Sequence, residues 1–182
     1  MKTQSTVLYV LRLALTLLLI TGVVAALLAG VNSVTAPIIA AAKEAKTQEA
    51  INAVLPGGGS EIDFTDSTGL VTKVYASESG YAVQVAPSGF DGEIDMMVGI
   101  DKNGNVTAIS IISHTETAGL GAVAAAENSA GNAFRSQFAG LTGTLAVSKD
   151  GGEIEAITGA TITSRAVTTG VNAALDCVAG LG

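Results

Sequence analysis

The stretch from Leu13 to Val31 reads LALTLLLITGVVAALLAGV, with no charge and only two threonines, and it constrains the chain more than any other feature. Its length is close to the roughly 20 residues that cross a hydrocarbon core about 30 Å thick, so a transmembrane helix is expected there. Lys2 and Arg12 precede the run and the next base is Lys43, which directs the N-terminus to the cytoplasm and the rest of the chain outward. Small residues at Ala25-Ala26 and Val34-Thr35-Ala36 leave a cleaved secretory signal as the competing reading. Signal cores span about 7 to 15 apolar residues, so the longer run here favours a retained anchor. Gly22 and Gly30 suit either close helix–helix approach or simple lipid exposure.

Beyond the anchor, Pro37 suits a first helical turn, and 38–55 places Lys43, Glu44, Lys46 and Glu49 among apolar Ile39, Ala42, Ala50, Ile51 and Val54. That pattern predicts an amphipathic helix leaving the membrane, ended by the flexible turn Pro56-Gly57-Gly58-Gly59-Ser60. The whole chain of 182 residues leaves room for one compact domain after it. A net charge of −7 and only nine scattered Lys and Arg residues argue against a nucleic-acid partner. Cys177 and His114 are each alone of their kind, which excludes an internal disulfide, a cysteine-ligated metal or iron–sulfur centre, and a bis-histidine haem within this chain. Cys177 reads as a small core residue.

Four short apolar runs follow: 71–75, 81–85, 94–100 and 106–112, read as strands. Ser79-Gly80 and Asp101-Lys102-Asn103-Gly104-Asn105 lie between them with turn chemistry, so an antiparallel meander is expected. The Asp101 loop has one acid, two asparagines and no closing glutamate, which makes it a hairpin turn rather than a calcium loop. Residues 122–137 read as helical or partly irregular, 145–148 and 153–157 as two further short strands around Asp150-Gly151-Gly152. Ser164 reads as the cap of a last helix whose inner face is Val167, Val171, Ala174, Leu175 and Val178. The fold class is therefore α+β: a small, mainly antiparallel sheet with flanking helices, preceded by one N-terminal transmembrane helix.

The chemistry concentrates in 154–164, IEAITGATITS, where an extended segment breaks at Thr158-Gly159 and opens a helix. Gly159 and Ala160 permit close backbone approach, the helix start favours an anion, and Thr158, Thr161, Thr163 and Ser164 supply hydroxyls. Threonines before a helix are commonly caps, so the residues alone leave a capping turn and an anion site both open.

ITGATITS resembles the flavinylation motif, a Ser or Thr followed by Gly-Ala-Thr, of FMN-binding subunits in the Rnf complex and the sodium-pumping NADH:quinone reductase. Gly89-Phe90-Asp91-Gly92-Glu93-Ile94, Met97-Val98-Gly99-Ile100-Asp101, His114-Thr115-Glu116-Thr117-Ala118-Gly119-Leu120-Gly121 and Gln137-Phe138-Ala139-Gly140 add a likeness, in order, to the G subunit of the Rnf complex. The chain departs from the family at Glu155, where an aspartate is usual, and at Ala118, where a proline fixes the backbone.

The resemblance implies covalent FMN, joined by a phosphoester to Thr161. Thr158, Gly159, Ala160, Thr163 and Ser164 would form the phosphate cradle, and Glu116, Thr117, Gly119 and Leu120 a loop against the flavin. It assigns no catalytic residue, no metal and no settled role to His114. It also implies an electron-transfer subunit of a ferredoxin:NAD oxidoreductase that moves sodium ions or protons, not catalytic alone, working beside other membrane and iron–sulfur subunits. A flavin transferase would mature it, and the N-terminal helix would hold it in the lipid bilayer of the cell membrane as a single-pass protein. On this reading residues 1–12 are the cytoplasmic N-terminus, 13–31 the membrane helix, 32–60 the amphipathic helix and linker, and 61–182 the extracytoplasmic FMN-binding domain. The apolar span has no ionisable residue, so ion passage falls to partner subunits. The rival readings are a protein like the quinone-reductase C subunit, which is typically longer, a free-standing FMN-binding domain serving another reductase, and an anchored binding domain without a cofactor.

Overall fold

A computed structural model describes residues 2–181, with side chains from Val7 onward. The side chain of Lys2, one of the two bases behind the expected orientation, lies outside the described residues. Helix α1 runs Lys2–Val54, followed by strands β1 Ser60–Ile62, β2 Val71–Ala76, β3 Gly80–Val85, β4 Asp95–Asp101 and β5 Val106–Ser113, then helices α2 Ser129–Ser136 and α3 Thr161–Ala179. The chain divides into two compact units, Met1–Glu44 and Ala45–Gly182.

The first unit belongs to α1 alone. This helix is long and apolar enough to cross a membrane, and its most apolar stretch is entirely exposed. The new helix expected at Pro37 does not form: Pro37 sits inside one uninterrupted helix. Proline removes one backbone donor, a loss that membrane helices tolerate when nearby hydroxyls and carbonyls readjust. Ser33 and Thr35 donate back to the carbonyls of Gly30 and Val31 in the preceding turn.

In the second unit the strands form one antiparallel sheet in the order β1-β2-β3-β4-β5, the meander anticipated from the turn chemistry. Alternation assigns the two faces. Val83, Val85, Met96, Val98 and Ile100 point into the larger core with Val167, Val171, Ala174 and Val178 of α3. Ala82, Met97 and Ile112 point the other way, onto Ala50, Ile51 and Val54 at the end of α1 and Leu55 just after it. Each fully buried aliphatic side chain contributes about 1.5–3 kcal/mol, so this two-faced sheet supplies most of the unit's cohesion. Of the apolar positions expected on the amphipathic segment, Ala50, Ile51 and Val54 are buried and Ile39 is exposed.

Two bulges adjust the pattern. Val71 and Val74 share a core face across an irregularity in β2, and Thr107 is skipped between the pairs Ile100↔Val106 and Gly99↔Ala108. The bulged Thr107 donates its hydroxyl to the Val54 carbonyl at 3.1 Å, satisfying an end carbonyl of α1. At Gly99 a Cβ would press on that same carbonyl, so the helix end lies directly on the strand.

Three local expectations need correction. Ser60 pairs with Ala76 as the start of edge strand β1, where the sequence suggested only a flexible turn. The segments 145–148 and 153–157 are not strands: a single parallel bridge, Val147↔Ile154, joins them across a 3₁₀ turn at 148–150 that Gly151 ends at φ 88°. Ser164 does not cap α3, which begins three residues earlier at Thr161 with Ala160 as its N-cap residue. The expected inner face of α3 is nevertheless buried throughout. The Asp101 carboxylate accepts the N–H groups of Asn103 and Asn105 at 2.8 and 2.9 Å, closing the β4–β5 hairpin. Residues 122–137 resolve into a 3₁₀ turn at 121–125 and α2, capped by the Asn128 side chain on Gly131 N–H.

Candidate functional site

The GATIT segment is built on a tight turn. Ala160 N–H donates to the Ile157 carbonyl at 2.9 Å, and Gly159 occupies the turn at φ 78°, a conformation that side chains with a Cβ avoid. Ser164 braces the turn from inside α3: its hydroxyl donates to the Ala160 carbonyl and accepts Ile157 N–H, both at 3.0 Å. Fully buried and spent on the backbone, Ser164 is a strut of the turn and does not face the cavity described below. Thr158 is exposed and also lies outside the cavity lining.

Glu116 links this turn to the other two quoted motifs. Its Oε1 accepts Phe90 N–H at 2.8 Å and Asp91 N–H at 3.0 Å, and its Oε2 accepts the Thr163 hydroxyl in a short hydrogen bond. Burial alone would push this carboxyl up. The donors from Thr163, Asp91 and Phe90, with the charge of His114, outweigh it and hold Glu116 below the usual carboxylate range. The packing admits no extra atoms: a Cβ on Gly89 would strike Glu116 Oε1, and one on Gly121 would strike Glu116 Oε2 and the Thr163 hydroxyl. Thr115 completes the staple by donating to the Asp91 carbonyl at 2.8 Å. Thr163, expected in a phosphate cradle, is thus 1% exposed and committed to Glu116.

Above this base opens a cavity of about 300 Å³, the lower end of the range for small-molecule sites. Thr161, Ala160, Gly159, Thr163, Glu116, Thr117 and Leu120 line it, so seven of the ten anticipated residues converge from two distant parts of the sequence. Gly119 is a turn position at φ 76° outside the lining. His114 is half-buried, and its Nδ1 finds no hydrogen-bond partner among the described residues.

Four lining residues went unassigned in the sequence: Phe90, Gly121, Lys149 and Ile162. Phe90 and Gly121 stand inside the quoted motifs, and Ile162 directly follows Thr161, so proximity was the available signal. Lys149 had none. Phe90, Leu120 and Ile162 remain substantially exposed and give the cavity an apolar rim. Lys149 donates from Nζ to Thr161 Oγ1 at 2.9 Å.

Glu155 is exposed and accepts the Ser148 hydroxyl at 3.3 Å, while its backbone is held by Gln137, which accepts Glu155 N–H at 2.7 Å. Its carboxylate therefore faces the 148–150 turn. Ala118 is exposed in the 117–120 turn, which Leu120 N–H closes on the Thr117 carbonyl.

An ammonium and a hydroxyl at one wall and a flat apolar rim at the other suit a molecule with an anionic tail and an aromatic body. The residues present fit FMN: Lys149 and Thr161 could hold its phosphate, and Phe90, Leu120 and Ile162 could hold its ring system. The chain has an FMN-binding domain, whose family profile matches residues 89–176 and so includes Phe90, Glu116, Lys149 and Thr161. A second profile, the RnfG N-terminal region, matches residues 1–54.

Among curated relatives, the G subunit of the Na(+)-translocating ferredoxin:NAD(+) oxidoreductase complex of Acetobacterium woodii is 36% identical, over 92% of this chain and 90% of its own. The G subunit of the proton-translocating ferredoxin:NAD(+) oxidoreductase complex of Clostridium ljungdahlii is 35% identical, over 84% and 82%. The G subunit of the ion-translocating oxidoreductase complex of Methanosarcina acetivorans is 30% identical, over 92% and 93%. The chain belongs to this family, the G subunits of Rnf complexes, as a flavin-binding membrane protein with a role in an oxidoreductase.

Proposed function

We propose that the protein carries FMN covalently on Thr161 and relays electrons within a membrane complex that couples electron transfer between ferredoxin and NAD to ion transport. The observation that carries the covalent reading is the position of the Thr161 hydroxyl. It lines the cavity, is only partly covered, and its oxygen meets a lysine ammonium, whereas Thr163 and Ser164 are buried and engaged elsewhere. Of the hydroxyls in the motif that face the cavity, it alone is free to react. FMN, once bound, supplies the redox chemistry, and the polypeptide sets its exposure and surroundings. Glu116 keeps the motifs in register, and Phe90, Leu120 and Ile162 shelter an aromatic body from water.

The relatives' names support the ferredoxin:NAD complex, with other membrane and iron–sulfur subunits as partners. Those names differ in the ion, sodium in one and protons in another, so the coupling ion is not assigned. Arg12 before the apolar run and Lys43 after it support a single-pass anchor in the lipid bilayer with a cytoplasmic N-terminus. The corresponding division is 1–12, 13–31, 32–60 and 61–182. A flavin transferase would install the cofactor, and alone the protein would turn over no substrate.

The test is intact-mass measurement of the full chain coexpressed with a flavin transferase. Wild type should gain one FMN through a phosphoester, and Thr161→Ala should gain none. An unmodified wild type, or an adduct that survives Thr161→Ala, would overturn the reading.

A further inference from the structure

Lys149 is a cation without a counter-charge. The hydrogen bond to Thr161 Oγ1 is the only one its ammonium makes with a described residue, and no carboxylate among those residues lies within ion-pair distance. Its neighbours on the same 3₁₀ turn are spent: Asp150 binds Arg165 through two bonds of 2.6 Å, and Ser148 donates to Glu155. Arg165 lies four residues after Thr161, one turn along the same face of α3. The Asp150–Arg165 pair therefore clamps the 148–150 turn to the start of α3. With the bridge Val147↔Ile154 fixing the other side, that clamp aims Lys149 at the Thr161 oxygen.

In a protein of net charge −7, an unneutralised ammonium directed at one cavity-lining hydroxyl is a built preference for an anion at that atom. We propose that Lys149 is the positioning residue for flavin attachment, binding the phosphoryl group as Thr161 is esterified and remaining as the counter-cation of the resulting phosphodiester. This rests on the covalent reading of Thr161. A phosphodiester cannot form from free FMN without a leaving group, so the donor is a flavin dinucleotide, in which the FMN phosphorus already carries a nucleotide. Thr161 Oγ1 forms the new P–O bond while the bridging pyrophosphate P–O bond breaks. The nucleoside monophosphate leaves with that electron pair, and the hydroxyl proton passes to a base of the transferase or to solvent. Lys149 bonds to the Thr161 oxygen without taking its proton and neutralises charge on the phosphoryl oxygens beside it.

The experiment follows attachment by intact mass over time, using the full chain in detergent with flavin transferase and flavin adenine dinucleotide. Lys149→Met should attach FMN at least about tenfold more slowly, and Lys149→Arg should stay within about threefold of wild type. Lys102→Met, on the β4–β5 hairpin, should match wild type. Raising salt from about 50 to about 500 mM should slow wild type and leave Lys149→Met nearly unchanged, a charge signature that a merely structural lysine would not give. In the fully loaded proteins the phosphorus NMR resonance should differ between wild type and Lys149→Met. Attachment to Lys149→Met at the wild-type rate with the same salt dependence would overturn the proposal, as would an arginine variant as slow as methionine. If wild type itself takes no flavin, the covalent reading fails and this inference with it. If wild type loads and only the lysine comparison fails, the covalent reading stands alone.

Discussion

Replacing Glu116 with glutamine separates the charge of this carboxylate from its shape. In the wild type three donors converge on it: Phe90 N–H, Asp91 N–H and the Thr163 hydroxyl. The amide oxygen of glutamine can keep the two backbone donors as neutral bonds, but its NH₂ then faces Thr163, whose hydroxyl must turn to accept. Charge-assisted bonds contribute about 1.5–3 kcal/mol and neutral ones about 0.5–1.5, while removing the buried charge returns part of its desolvation. The net loss at neutral pH is about 1–2 kcal/mol, or ~3–8 °C in melting temperature for a unit of this size.

The sign of the pH dependence follows from the lowered folded value of Glu116, which has an ordinary value of 4.5. A depressed carboxyl contributes stability that is complete above the unfolded value and fades as pH falls through the folded one. The gap between wild type and Glu116→Gln should therefore be full at pH 7, begin to shrink below about pH 4.5, and close at more acid pH. Asp66, Asp101 and Asp150, also held low, titrate in both proteins and drop out of the difference. The assay is thermal melting of the full chain followed by near-ultraviolet circular dichroism, in which Tyr75 and Tyr81 report on the sheet. A gap below about 1 °C at pH 7, or one unchanged at about pH 3.5, would refute the account of Glu116 as an ionised tie.

Gly121→Ala should be more damaging than its size suggests, because the new Cβ would occupy space held by Glu116 and Thr163; a loss of about 2–3 kcal/mol by thermal melting is expected, and a neutral result would show that the loop yields. Gly159→Ala places a Cβ at φ 78° and 3.0 Å from Leu120 Cδ2. It should cost about 1–2 kcal/mol and slow flavin attachment measured by mass, whereas wild-type stability and loading would show that the turn can adopt another conformation.

Much of the architecture was legible in the chain because it depends on local period and turn chemistry. The apolar run at 13–31, the four alternating strands and the inner face of α3 each follow from which side chains must leave water. The Gly-Ala-Thr motif likewise marked Thr161 by type and spacing. Edge strand β1 was not visible, because three residues with little alternation become a strand only through the partner that β2 offers. The parallel bridge at Val147 and Ile154 was misread for the converse reason: strand-like residues had no sheet within reach.

The division of labour among the hydroxyls was also a tertiary outcome. Sequence offered Thr158, Thr161, Thr163 and Ser164 as near equals. Folding then gave Thr163 to Glu116, 47 residues away, gave Ser164 to the turn, and left Thr161 with Lys149 at the cavity wall. Chemistry and spacing along the chain thus determined which residues could bind and react. Only the convergence of segments distant in sequence, driven by burial of the sheet's two faces, decided which hydroxyl remained exposed with a cation beside it.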